Sequence, residues 1–128
     1  MKSNRLSIKI IKPAADVFSF TTNPQNTPKW ISSIVVGQVS EWPVGVGSTY
    51  RNQDKKGNWS EYVVTAFQEN SLFELSSADG RYHVRYTYKP LEDYKSELEY
   101  FEWVDDGDLA APLKLENLGK LKRLTEGV

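Results

Sequence analysis

From about Ile34 to Val104 the chain is a succession of short segments rich in Val, Tyr, Phe, Trp and Thr. They are cut at regular intervals by the turn-forming stretches WPVGVG, DKKGN, QENS, ADG and PLED. No window in this span holds a convincing helical period, and the breaks are too short for crossover connections, so the segments pair as antiparallel hairpins. Six strands are expected, at residues 33–41, 47–54, 58–68, 71–77, 81–89 and 94–104. A meander of this kind has an apolar face that something must cover. The one long element left to cover it is AAPLKLENLGKLKRLTE, in which Leu113, Leu115, Leu118, Leu121 and Leu124 share one half of a helical circumference. Glu116, Gly119, Lys120, Arg123 and Glu126 take the other half. The acidic residues Asp105, Asp106 and Asp108 lack the spacing of a calcium loop and are read as capping this terminal helix.

Ahead of the meander, residues 4–12 alternate Leu6, Ile8 and Ile10 with polar partners, which predicts a further strand and brings the sheet to seven. Lys12 precedes a proline and is pushed to extended geometry, while Pro13 suits the first position of a helix. That helix carries Ala14, Val17, Phe18 and Thr21 on one face and stops near Thr22. Asn23 is placed to cap a second start at Pro24, and Pro28 prevents a long helix, so residues 24–31 are expected as two short helical turns delivering Trp30 and Ile31.

The chain of 128 residues has the length of one domain, 1–128, and can bury about two thirds of its unfolded surface. Sixteen Lys and Arg oppose seventeen Asp and Glu, so no overall field recruits nucleic acid or an anionic membrane. With no cysteine and one histidine the chain cannot build an ordinary zinc site, and neither metal nor other cofactor is expected. The first residues, MKSNRLSIKIIKP, hold too short an apolar stretch for a signal peptide, and no run is long enough to cross a bilayer. The expectation is a soluble cytoplasmic protein with no membrane insertion.

In RYHVRYTYK, alternation places Tyr82, Val84, Tyr86 and Tyr88 on one face and Arg81, His83, Arg85 and Thr87 on the other. Tyr94, Leu98 and Tyr100 continue the tyrosine face in the next strand, whereas Phe101 and Trp103 have the opposite parity and imply a bulge or a second covered face. Rings with hydroxyls suit a cavity for a flat, partly oxygenated molecule; the plainer reading is that they fill the core. His83, the one side chain titrating near neutrality, falls on the arginine face and is read as exposed. Glu97, Glu99 and Glu102 are read as a solvated ladder, with Glu97 and Glu99 pairing with Arg81 or Arg85. Gly45-Val46-Gly47 is followed by no Lys-Ser/Thr and no helix, so it is a turn and not a phosphate loop. Arg51, just beyond, is a candidate for meeting a ligand carboxylate, although parity does not decide its face.

The stretch IIKPAADVFSFTTNPQNTPKWISSIVVGQVSEWPVGVGSTYR resembles the opening of the START, polyketide-cyclase and birch-pollen-allergen superfamily, known as SRPBCC. The resemblance is carried by Pro13 to Phe20, by Asn23-Pro24 through Pro28 to Trp30, and by Gly45 through Gly47 to Tyr50-Arg51. NLGKLKRLTE, residues 117–126, is similar to the end of that superfamily's last helix. The resemblance implies an α+β helix-grip fold: a curved seven-stranded antiparallel sheet wrapped around the C-terminal helix, with two short helices between strands 1 and 2 and a pocket for apolar small molecules. On that fold the candidate ligand-binding residues are Trp30, Tyr50, Arg51, Tyr82, Tyr86, Tyr88, Leu98, Tyr100, Leu118 and Leu121, with no catalytic residue assigned. The stretch between Trp103 and Asn117 is shorter than the superfamily's usual one, which implies a pocket more open than usual or closed by a second copy as a homodimer.

The leading functional reading is therefore a binding protein for a small hydrophobic or aromatic molecule, lipid- or polyketide-like. The enzyme alternative is a cyclase or dehydratase working by substrate positioning, which requires His83 or Arg51 to point into the cavity. A third is a protein-interaction module of the co-chaperone-like or ribosome-associated kind.

Overall fold

The computed structural model describes residues 1–127, and the seven expected strands are all present. Ser3–Ile10 (β1) carries the Leu6, Ile8, Ile10 alternation. Ile34–Val39 (β2), Thr49–Asp54 (β3), Trp59–Gln68 (β4), Leu72–Ser77 (β5), Tyr82–Pro90 (β6) and Ser96–Val104 (β7) form the meander. The last strand starts two residues later than expected. Asp93 and Tyr94 both take positive φ (58° each) in the turn before it, so Tyr94 leaves the tyrosine face and is 83% exposed. All pairings are antiparallel, and the spatial order is β1-β7-β6-β5-β4-β3-β2.

Because β1 joins β7, strands adjacent in the chain lie at opposite edges of the sheet, and the segment between them must cross its concave face. That segment is Ala14–Thr22 (α1), a 3-10 turn at Pro24–Asn26 and Thr27–Trp30 (α2), the two short turns that the prolines predict. Pro13 stands one position outside α1: its ψ of 154° is extended, and its carbonyl accepts the amides of Asp16 (3.0 Å) and Val17 (3.3 Å). Asn23 caps the 3-10 turn as expected, its Oδ1 accepting the Gln25 amide at 3.0 Å.

Leu115–Glu126 (α3) packs against β1, α1 and α2 and ends at Gly127, whose φ of 79° is the left-handed geometry of a helix stop. Its leucines do not act as one stripe. Leu118 and Leu121 are completely buried, Leu115 and Leu124 are exposed, and Leu113 lies ahead of the helix. The acidic residues at 105–108 also lie too far upstream to cap α3. Lys114 and Asn117 do so instead, with the Lys114 amide donating to Asn117 Oδ1 at 3.0 Å.

The helices are tied to the sheet by phenols. Tyr88 OH meets Thr21 Oγ1 at 2.6 Å, Tyr50 OH donates to the Thr22 carbonyl at 2.6 Å, and Phe18 packs edge-on against Tyr88 and Phe67. β2 is tied by proximity. A Cβ on Gly37 would stand 2.2 Å from the Pro24 carbonyl oxygen, so only glycine lets the strand pass under the 3-10 turn. Gly37→Ala should therefore lower stability by about 1–3 kcal/mol in urea denaturation, the usual cost of forcing atoms into a packed site; an unchanged midpoint would contradict this packing.

Candidate functional site

The concave face of the sheet does not fill completely. A cavity of about 170 Å³ lies between it and the helical segment. Its floor comes from alternate positions of neighbouring strands. β6 contributes Tyr82, Val84 and Tyr86, β7 contributes Tyr100 and Glu102, and β3, β4 and β5 contribute Tyr50, Asn52, Tyr62, Phe73 and Leu75. Trp30 and Ile31 close it from α2, and Ala111 and Leu113 close it from the segment before α3. The register explains the convergence: Tyr86 faces Tyr100, and Val84 faces Glu102, so one stripe of β6 meets one stripe of β7.

The rings are arranged as edge-to-face pairs, with centroids 5.3 Å apart for Tyr86 and Tyr100 and 6.5 Å for Trp30 and Tyr86. Burial raises the hydroxyl pKa of Tyr50, Tyr82, Tyr86 and Tyr100 well above the ordinary phenol value, and the carboxylate of Glu102 adds to the effect at the last three. These hydroxyls remain neutral, each able to donate and to accept.

Glu102 is the residue that the sequence reading misplaced. Far from joining a solvated ladder, it is 2% exposed and points inward. Its Oε2 accepts from Asn4 Nδ2 (2.8 Å) and from the Leu113 amide (2.7 Å), and its Oε1 accepts from the Tyr82 hydroxyl (2.8 Å). Tyr100 OH lies 3.4 Å from Tyr82 OH, a weaker link in the same chain. Parity was the available signal, since Glu102 shares it with Leu98 and Tyr100 whereas Glu97 and Glu99 do not. Hydrogen bonds to a charged group contribute about 1.5–3 kcal/mol each, against a desolvation cost of several kcal/mol for burying the ion. The carboxylate is thus close to neutral for stability.

Of the ten candidate residues, Trp30, Tyr50, Tyr82, Tyr86 and Tyr100 line the cavity. Tyr88, Leu98, Leu118 and Leu121 are buried in the core beside it and do not line it, since Tyr88 turns to Thr21 and the leucines fill the space under the helices. Arg51 lies on the opposite face. Tyr50 already points inward, so its neighbour must point out, where Arg51 pairs with Glu61 (3.3 Å) and lies over the Trp59 ring (4.5 Å).

That outer face also holds Phe101 and Trp103. The β6–β7 register runs without a break, so their parity reflects a second covered face and not a bulge. Arg5 lies over Phe101, Trp103 stacks on Phe101 and on His83, and Arg85 lies over Trp103. His83 is less exposed than expected: Nδ1 meets Ser76 Oγ at 2.7 Å and Nε2 meets Asp105 Oδ2 at 3.0 Å. Glu99 pairs with Arg5 (2.7 Å) and Lys89 (3.7 Å), and Arg85 pairs with Glu74 (3.5 Å), so the ladder exists with partners other than those expected.

Seven strands in a curved antiparallel sheet, two short helices across it and a C-terminal helix define the helix-grip architecture of START-like proteins. Residues 1–127 match the model of the family described as polyketide cyclase / dehydrase and lipid transport, and the chain belongs to that family, within the SRPBCC superfamily. Solved structures agree on the fold. A Mesorhizobium loti protein superposes with a TM-score of 0.78 at 15% identity, covering 98% of both chains. A START superfamily protein from Mycobacterium smegmatis gives 0.67 at 16% identity, covering 99% of this chain and 96% of its own. The Aha1 dimer from Colwellia psychrerythraea gives 0.69 at 16% identity, covering 98% and 97%. No curated protein matches the sequence.

The raised tyrosine pKa values have a direct consequence. Below the ordinary phenol value of 10.0 both folded and unfolded chains hold these protons, and stability is independent of them. Above it the unfolded chain releases them while the folded chain retains them, so stability falls as pH rises. Urea midpoints should be flat in this respect from pH 8 to about 10 and drop steeply beyond it; a flat profile to pH 11 would contradict the burial of these hydroxyls.

Proposed function

We propose that this protein binds a small aromatic or apolar molecule in the cavity between the tyrosine face of the sheet and the helical segment. The observation that carries the reading is the cavity itself: seven aromatic side chains around about 170 Å³ of space between the sheet and the helical segment. Family membership supports it, since the family's description joins polyketide cyclases and lipid transport. The volume refines it. Ordinary ligand pockets span about 300–1,000 Å³, while a dry cavity of about 150 Å³ takes one benzene. The ligand class that fits is a single-ring molecule, and a lipid tail or polycyclic polyketide would need the helical segment to move.

A second reading, a cyclase or dehydratase, is favoured by one contact. His83 and Arg51, which that reading required in the cavity, both lie on the outer face, but Glu102 and Tyr82 supply a carboxylate and a hydroxyl 2.8 Å apart inside it. Such a pair is suited to moving a proton within a positioned substrate. A homodimer has the Colwellia Aha1 dimer as precedent for dimerisation of this fold; size-exclusion chromatography and pull-down distinguish a homodimer and a protein-interaction role from a monomeric carrier.

The binding reading is tested by filling the space. Single-ring aromatics such as toluene or phenol should raise the melting temperature of the native protein by several degrees at saturating concentration. Val84→Phe, which places a ring where the cavity lies, should abolish that shift while native circular dichroism is retained. Ligand-induced stabilisation that survives in the variant would place binding elsewhere.

A further inference from the structure

We infer that the cavity selects molecules carrying a protonated amine, with Glu102 as the counter-charge; the inference rests on the ligand-binding reading above and specifies the ligand's head group. The first support is charge. Glu102 is the one cavity-lining residue with a formal charge, and among the described residues no Lys, Arg or His side chain lines the cavity. The strand residues Arg51 and Arg85 lie on the outer face, paired with Glu61 and Glu74, and His83 lies there too, against Asp105. An anionic head group entering this space would meet a like charge in a low dielectric with no cation to offset it.

The second support is acceptor geometry. A carboxylate offers about four acceptor positions, and three are taken: two on Oε2, by Asn4 and the Leu113 amide, and one on Oε1, by Tyr82. The position left over belongs to Oε1, the oxygen joined to the tyrosines of the cavity wall. An ammonium brings three donors and no acceptor, and the neutral phenol oxygens of Tyr86 and Tyr100 are acceptors in the same wall.

The third support is the rings. Tyr82, whose hydroxyl donates to the carboxylate, shares the cavity lining with Trp30, Tyr86 and Tyr100, and aromatic rings attract a cation in addition to any direct ion pair. A carboxylate in a cavity lined by aromatic rings is thus a receptor for a nitrogen cation attached to an apolar body. This also explains why a buried ion that does little for stability is tolerated in the core.

Three probes with one ring and different heads decide the matter: benzylamine, benzyl alcohol and benzoate. Each is titrated at neutral pH into the nitrogen-15-labelled native protein, following the indole N–H of Trp30. Benzylamine should bind with a dissociation constant at least about tenfold lower than benzyl alcohol, and benzoate should give no saturable shift. Glu102→Gln, which keeps the side-chain shape, should bring benzylamine and benzyl alcohol to within about twofold of each other. Should that variant lose its fold, the three-probe comparison on the native protein decides alone. Benzyl alcohol or benzoate binding as tightly as benzylamine would overturn the selection by charge and leave the ligand cavity standing. No shift from any of the three would remove the cavity reading and the amine inference together.

Discussion

The pairing of β1 with β7 is the constraint from which the remaining architecture follows. It runs in unbroken register from Ser3 opposite Trp103 to Ile10 opposite Ser96, and it puts the first strand at the far edge from the second. The short chain between them then has to traverse the concave face, and its three prolines and Asn23 divide it into turns able to do so. Trp30 and Ile31, which close the cavity on that side, are where they are because of that traverse.

Glu102 sits at the junction that this pairing creates. It binds Asn4 of β1, Tyr82 of β6 and the amide of Leu113, so one carboxylate fixes the edge strand, the tyrosine strand and the segment leading into α3. Net stabilisation by a buried ion is small, because desolvation offsets its hydrogen bonds. Its effect is one of placement: Leu113 is held against the cavity, and the shorter connection before α3 is thereby put to use as a wall. The two faces of the sheet divide the charges accordingly. The outer face carries arginines laid over Phe101, Trp103 and Trp59 and paired with glutamates, contacts worth about 0.5–1 kcal/mol each at exposed sites. Among the described residues that line the cavity on the inner face, Glu102 alone carries a charge.

Much of this was legible in the chain, and the parts that were not share a cause. The strands, the proline-marked helices and the inward tyrosines of β6 follow from local periodicity, which depends on few neighbours. Arg51 was proposed beside Tyr50 for the cavity, yet adjacent residues in a strand face opposite ways, and only the register of β3 with β4 shows which of them faces in. Residue type groups Glu102 with Glu97 and Glu99, although its parity sets it apart. Tyr94 reads as part of the strand because left-handed backbone geometry at a non-glycine residue leaves little trace in sequence.

What the amino-acid order determined by itself was the set of elements and their hydrophobic faces, since those arise from backbone periodicity and from the fixed geometry of proline and glycine. The resemblance carried by Pro13 to Arg51 supplied the helix-grip arrangement of those elements. Tertiary structure alone decided which inward residues meet empty space and which meet one another. Tyr86 and Tyr88 have the same parity and the same chemistry, but Tyr88 finds Thr21 and Phe18 over it while Tyr86 faces the cavity. That difference depends on where α1 and α2 cross the sheet, a long-range packing outcome that no local pattern encodes.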